Sequence, residues 1–179
     1  MAENIEKQPQ EVVKRIETKE IISSLWEKLP TIARDLIQKS QDLSQERNRK
    51  FWENPDDPLE HKPDWHQWGI ITHTKMFEKF YLEEIPRYLD QWGIGDKFRD
   101  RMSEEIDGIT KDQLLHIAII FHDLGKFSER KLKLAEDGFI STSFRGHEAA
   151  SGRIIRAPEF SGMLKRSYGL TDAQIEYIA

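Results

Sequence analysis

The longest apolar stretch of the chain, residues 114–121, runs directly into two ionisable side chains, His122 and Asp123. Its apolar positions cover nearly all sides of a helical projection, which predicts a helix buried all round rather than an amphipathic surface helix. Thr110 and Gln113 have the spacing of a capping box at the start of this helix. The pattern therefore predicts a central core helix that begins near residue 111.

The end of this helix is predicted from Gly125, which is expected to form a left-handed C-terminal cap. Adjacent side chains on an ideal helix diverge by about 100°, so His122 and Asp123 can share one ion only where the helix ends or unwinds. The negative end of the helix dipole at this point also favours a cation.

Before the central helix, apolar residues at helical spacing predict an amphipathic helix over residues 12–29 and a second helix over residues 31–52. Pro30 is expected to separate them. This antiparallel pair is interpreted as a structural appendage or as the contact surface of a homodimer. The structural role is the preferred interpretation.

A segment rich in proline and aspartate, residues 54–64, predicts a boundary between the two parts of the chain. Residues 1–60 are accordingly assigned to the helical appendage and residues 61–179 to the main domain. A long helix is expected over residues 65–82, with a broken continuation to Trp92.

After the central helix, residues 131–134 and 140–144 alternate around an Asp-Gly turn signal and predict a β-hairpin. A helix is expected over residues 146–156, with Pro158 stopping it, and another over residues 160–168. A last helix begins at a second capping box, Thr171 to Gln174. The predicted fold class is all-α, a helical bundle with a small β-hairpin insertion and an N-terminal helical pair.

Composition limits the chemistry. The chain has 179 residues, 37% of them apolar, and no cysteine. Thiolate metal sites and cysteine nucleophiles are excluded, so any metal must be held by imidazole and carboxylate. No run of about 18 apolar residues is present and the N-terminus is polar, so a cytoplasmic protein without a membrane partner is expected.

Charge argues against a nucleic-acid partner, since the formal net charge is −5. Locally the balance reverses, because residues 126–166 contain nine Lys or Arg against five Asp or Glu. This excess would suit a phosphorylated small molecule, although an ordinary solvated surface explains it equally well.

Three motifs resemble one family. Residues 122–126, His-Asp-Leu-Gly-Lys, after a buried helix resemble the signature of the HD superfamily of metal-dependent phosphohydrolases. His73, on the upstream helix, is similar to the first histidine of that family. Residues 144–148, Phe-Arg-Gly-His-Glu, resemble a segment of the HD domains in bacterial CCA-adding and poly(A) polymerase enzymes. The resemblance covers about residues 64–179.

The resemblance implies hydrolysis of a phosphomonoester or phosphodiester, with a nucleotide as the expected substrate, by a metal-activated water. The implied metal ligands are His73, His122 and Asp123. The cofactor is expected to be a divalent metal ion, namely Mn, Mg, Fe, Co, Ni or Zn. Imidazole ligands favour the transition metals in this group.

Further roles follow from the same resemblance. Asp123, Lys126 and His147 are expected to be catalytic, and Lys126, Arg145 and His66 are expected to bind substrate. His66 and His73 lie seven residues apart and should share one face of a helix. No specific role is expected for the remaining linker histidine, at position 61. The tryptophans of this region, at 65, 68 and 92, are interpreted as packing residues, with stacking on a base as the alternative.

The sequence departs from the family at its end, because the aspartate that completes the family's metal site has no counterpart after residue 137 except Asp172, which comes too early. The chain is therefore expected to be a truncated piece of a longer protein, or else to have a degenerate site. A second interpretation stays open, in which the domain binds a metal, a nucleotide or a protein partner without turnover.

Overall fold

The computed structural model describes residues 17–61, 66–134 and 140–179 and shows an α-helical protein with two small antiparallel hairpins. The all-α prediction with a β-hairpin insertion is confirmed. In the described part of the chain no helix is both long and apolar enough to cross a bilayer. The elements are α1 (Thr18–Ser40), α2 (Glu46–Glu53), a 3-10 helix (Pro58–Glu60), α3 (Ile70–Glu83), α4 (Ile85–Gln91), α5 (Gly95–Ser103), β1 (Glu105–Ile106), β2 (Ile109–Thr110), α6 (Lys111–Phe121), α7 (Leu124–Glu129), β3 (Lys131–Leu134), β4 (Ile140–Ser143), α8 (His147–Arg156), α9 (Pro158–Tyr168) and α10 (Asp172–Ile178).

Helix α6 is the central core helix that the apolar run predicts. The hydroxyl of Thr110 accepts the backbone N–H of Gln113, and the Gln113 side chain accepts the N–H of Thr110 in return, which completes the capping box. The helix packs against α1, α3, α5 and α10. Its fully buried side chains belong to the main hydrophobic core: Leu114, Ile117, Ile120 and Phe121.

Helix α1 continues through Pro30, so the prediction that a helix ends there is wrong. Proline removes one backbone hydrogen bond, but the buried stripe repeats every fourth residue on both sides of it and packs both halves of the helix into the core. That stripe consists of Ile21, Leu25, Leu29, Ala33 and Ile37. Because it lies in the same core cluster as α6, helix α1 is part of the core. The boundary proposed at residue 60 stays a prediction, and residues 12–16 of the predicted first helix lie outside the described residues.

Helix α3 begins at Ile70, later than predicted, while residues 62–65 lie outside the described part of the chain. The carboxylate of Asp56 accepts the N–H and the hydroxyl of Thr72, at 2.8 and 2.6 Å, and so satisfies donors in the first turn. His66 therefore precedes the helix, and the expectation that it shares a helical face with His73 is wrong.

The predicted hairpin is present as β3 and β4, paired from Lys131 with Ser143 to Leu134 with Ile140. Its turn, residues 135–139, lies outside the described residues. A second hairpin, β1–β2, was not predicted because its strands have two residues each, too few for an alternating pattern. Asp107 and Gly108 connect it with positive φ at both positions, as a type I′ turn requires. Pro158 begins α9 instead of only stopping α8, which ends at Arg156.

Candidate metal centre

The candidate metal centre lies at the turn between α6 and α7. Oδ2 of Asp123 lies 3.3 Å from Nε2 of His122 and 3.9 Å from Nε2 of His73, which projects from α3. One potential ligand atom from each of the three residues lies within 4.8 Å of the others. The side chains thus converge as the sequence predicts, and metal binding by them stays a prediction.

Gly125 has a different role from the predicted one. It lies in the first turn of α7, and it is not among the residues with positive φ. A Cβ at this position would lie 2.0 Å from the carbonyl oxygen of His147 and 2.9 Å from Cβ of Ala150. Glycine therefore permits α7 and α8 to pack closely, which brings His147 next to Asp123.

Ser151 joins α8 to the same turn, although nothing in the sequence pointed to it. Its buried hydroxyl accepts the N–H of Gly125 at 2.8 Å and lies 2.7 Å from the carbonyl oxygen of His122 and 3.0 Å from that of His147. The hydroxyl thus contacts a carbonyl at the end of α6 and an N–H in the first turn of α7, groups that helix ends leave without partners within the helix.

His147 lies at the cluster, as the sequence predicts. Its Nε2 is 3.4 Å from Oδ1 of Asp123 and its Nδ1 is 2.8 Å from the carbonyl oxygen of Phe144. Because a carbonyl only accepts, Nδ1 carries a hydrogen. The interaction with the Asp123 carboxylate raises the pKa of His147 above its ordinary value, against the effect of burial.

Lys126 donates to Oδ2 of Asp123 at 2.8 Å, with 8% of its side chain exposed and 5% of the aspartate side chain. Burial opposes ionisation of Asp123, but hydrogen bonding from His122 and His147 and the charge of Lys126 outweigh it and hold the pKa of Asp123 far below its usual range. The cluster is therefore built around an ionised, buried carboxylate.

His61, for which no role was expected, is fully buried at this cluster. Its Nδ1 lies 2.9 Å from the carbonyl oxygen of Trp68, so Nδ1 carries the hydrogen and Nε2 accepts from the ammonium of Lys126 at 2.9 Å. Burial and the positive charge of Lys126 lower the pKa of His61 to about 3. No sequence pattern indicated this contact, because His61 precedes the segment that resembles the HD family.

The ring of His66 stacks on His61, with centroids 4.1 Å apart and planes 3° from parallel, and lies 4.7 Å from the ring of His73. Burial, together with the charge of Lys126, lowers the pKa of His73 to about 4. His73 is therefore neutral at physiological pH, which is the form that binds metals.

The donor set fits a divalent transition metal. Nδ1 of His122 lies 2.6 Å from the carbonyl oxygen of Ile119, so Nδ1 carries a hydrogen and Nε2 is the nitrogen that faces Asp123. A backbone carbonyl that fixes the tautomer in this way is the usual partner of a ligating histidine. Two imidazole nitrogens and one ionised carboxylate are thus available.

Two openings adjoin the cluster. A polar cavity of about 400 Å³ is lined by Lys126, Arg145, His147 and His66, so the predicted substrate-binding residues share one cavity. A groove of about 380 Å³, lined largely by apolar side chains of α3, begins at His73. Trp68, interpreted as a packing residue, lies half-buried in the wall of that groove.

Two other ionisable residues lie apart from the cluster. Asp172 pairs with Lys165 on the surface, at 2.5 Å. His116 lies on α6, and its Nε2 is buried with no hydrogen-bond partner among the described residues.

No protein-family model matches the chain, and no curated protein or solved structure is significantly similar to it.

Proposed function

We propose that this protein is an HD-type, metal-dependent phosphohydrolase. In this proposal His73, His122 and Asp123 hold a divalent ion, and the substrate is a phosphomonoester or phosphodiester. The observation that carries the proposal is the convergence of two imidazole nitrogens and a buried, ionised carboxylate at the end of a core helix.

The proposed chemistry matches the donors. A divalent ion lowers the pKa of bound water and polarises a phosphate ester, which are the two requirements for hydrolysis at neutral pH. Imidazole-rich sites favour Mn, Fe, Co, Ni or Zn over Mg. The low pKa values of His73 and Asp123 keep both groups in their ligating forms throughout the physiological range.

The polar cavity contains the groups that would bind the phosphate and protonate the leaving oxygen. Lys126 uses two of its three N–H groups on Asp123 and His61 among the described residues, so a third is available for a phosphoryl oxygen. Arg145 adds a second positive charge at the rim. His147, with its raised pKa, has an increased protonated fraction near neutral pH and is placed to donate a proton to the leaving oxygen.

The proposal is tested by metal content and hydrolysis in the same preparations. The purified protein is loaded with Mn²⁺ or Zn²⁺, analysed for bound metal, and assayed with 4-nitrophenyl phosphate and bis(4-nitrophenyl) phosphate. His122→Ala and Asp123→Asn should each lower metal affinity by more than the roughly 10- to 100-fold typical of residues that only support a ligand.

His116→Ala is the matched control, since His116 lies on the same helix but outside the cluster. It should retain metal and activity. Unchanged metal content in both cluster variants would overturn the proposal.

One observation favours a non-catalytic alternative. Among the described residues the cluster contains a single carboxylate, Asp123. A domain that uses this cluster to bind a metal or nucleotide without turnover predicts full metal binding by the wild type and no hydrolysis of either ester.

A further inference from the structure

We infer that the outer face of α3 and α4 is the contact surface of a two-fold symmetric dimer of this chain, in which Trp92 of each protomer inserts into the groove beside His73 of the other. Among the described residues 11 large apolar side chains are exposed, and seven of them lie within residues 76–94. Apolar side chains exposed singly are normal on a protein surface, but a contiguous group marks an interaction site. The contiguous part, which we call the α3–α4 face, consists of Met76, Phe77, Phe80, Tyr88 and Trp92.

Helix α4 leaves this face uncovered. None of its residues, Ile85–Gln91, is buried, although a surface helix ordinarily buries one apolar stripe against its own chain. The rings of Phe80 and Tyr88 lie 6.2 Å apart, centroid to centroid, and those of Tyr88 and Trp92 lie 6.1 Å apart. Three aromatic rings thus form a row from α3 to the end of α4, with Tyr88 in its middle.

The α3–α4 face carries both a projection and a recess. Trp92, at one end of the row, is 69% exposed, and Phe80, at the other end, lines the groove of about 380 Å³. A volume within the range that holds small molecules also holds one indole ring. A two-fold axis makes a patch contact its own copy, so the projection on each protomer meets the recess on the other. With the axis near Tyr88, both tryptophans reach a groove at once, which favours a second copy over an unrelated partner.

The charges at the groove favour the same partner. Lys79 lies 3.9 Å from Glu83, and Arg87 lies 3.1 Å from Glu84, so opposite charges occur in balanced pairs. Such pairs can be exchanged between protomers across a two-fold axis without an excess of one sign in the interface. Residues 70–94 contain three Lys or Arg and four Asp or Glu. The segment therefore has no basic surface of the kind that anionic lipids or nucleic acids require.

The size of the α3–α4 face meets the requirement of a dimer. Its four aromatic side chains are 38–69% exposed, which leaves on the order of 400 Å² accessible, since one aromatic side chain offers roughly 150–250 Å². A standard interface buries about 800 Å² on each partner, and a little over half of this area is apolar. The four rings thus account for most of the apolar area that such a contact needs.

The dimer contact reaches the candidate metal centre. The groove begins at His73, and the ring of Phe77 in its wall lies 5.2 Å from the ring of His122, centroid to centroid. Trp92 of the second protomer therefore closes one of the two openings that adjoin the cluster.

The test measures the mass of the purified protein by sedimentation over a concentration series. The wild type should reach twice the mass of the 21.1 kDa chain. Trp92→Ala should raise the dissociation constant of the dimer at least about 30-fold, because it removes a central aromatic contact. Leu134→Ala is the matched control: Leu134 is 75% exposed on β3, outside the α3–α4 face, and its removal should leave the dissociation constant unchanged.

A pair of charge variants tests the symmetry. A residue near a two-fold axis meets its own copy, so Tyr88→Glu and Tyr88→Lys should each be monomeric alone, and an equal mixture of the two should form dimers. Tyr88 is 38% exposed, and circular dichroism checks that both variants are folded.

A wild type that stays monomeric overturns the inference, whether or not it captures a different protein. So does a dimer that Trp92→Ala and Leu134→Ala weaken equally. A mixture of the two Tyr88 variants that stays monomeric overturns the two-fold contact. None of these measurements depends on hydrolysis, so the result is independent of the proposed function.

Discussion

The ammonium of Lys126 donates to Nε2 of His61 at 2.9 Å in the buried interior of the cluster. The two residues are 65 positions apart in the chain. Because Lys126 also donates to Asp123, the histidine fixes the position of the cation that lies against the candidate metal ligand. The segment before α3 thus contributes directly to the site.

Replacing His61 by leucine should destabilise the metal-free protein by about 1–3 kcal/mol, because a buried ammonium loses a hydrogen-bond acceptor. His61→Gln should recover part of this loss, since its amide oxygen can occupy the position of Nε2. Urea unfolding with EDTA present measures both. Equal stability of the two variants would show that the hydrogen bond to Lys126 contributes nothing.

Acid should destabilise the metal-free protein through its neutral histidines. The pKa is lowered from 6.5 to about 3 in His61 and to about 4 in His73, so between those values and 6.5 the unfolded chain binds more protons than the folded one. The contribution of these two histidines to the free energy of unfolding is therefore complete above pH 6.5. It is lost as the pH falls, by about 1.4 kcal/mol per pH unit for each group.

His147 does not oppose this trend. Its pKa is raised in the folded protein, so its contribution to stability is fully present below pH 6.5 and does not decrease as the pH falls further. The measurement is the free energy of unfolding between pH 4.5 and 6.5 in wild type and His61→Gln. The slope should be smaller by about 1.4 kcal/mol per pH unit in the variant. An unchanged slope would mean that His61 is not the group that titrates.

Gly125→Ala should destabilise the protein by about 1–3 kcal/mol or more, because the added methyl group would meet the backbone of His147. The forced separation of α7 from α8 should also weaken metal binding. Gly162→Ala is a control in helix α9, where the added carbon meets only the flexible end of Arg166. Thermal unfolding should show that Gly162→Ala leaves the stability of the protein unchanged or raises it. Similar losses of stability in both variants would contradict the close packing of α7 against α8.

Glu60→Gln should cost about 3–5 kcal/mol, because it leaves the fully buried guanidinium of Arg130 without its countercharge. Arg130 otherwise keeps only its hydrogen bond to Asn48 among side-chain acceptors in the described residues. Glu159→Gln, in the exposed pair with Lys39, should change the free energy of unfolding far less. The denaturant midpoints of Glu60→Gln and Glu159→Gln are compared with that of the wild type. Equal shifts of the midpoint in both variants would contradict a structural role for the buried pair of Glu60 and Arg130.

Several features of the fold were predictable because they depend on neighbours in sequence. The capping box at Thr110 and the apolar run after it define α6 by local hydrogen bonding and periodicity. The hairpin β3–β4 was predictable from alternation. The continuation of α1 past Pro30 was not, since tertiary packing of the stripe on both sides outweighs one missing hydrogen bond.

The sequence by itself determined that His122 and Asp123 stand at the end of a buried helix, because an apolar run, its cap and its spacing are local properties. The tertiary structure alone decided which distant side chains meet there. His61, His66 and His147 approach Asp123 and Lys126 through the packing of separate segments, and Gly125 permits that approach only because α8 lies against it. Contacts of this kind depend on how buried surfaces fit together across the whole chain, which no local pattern encodes.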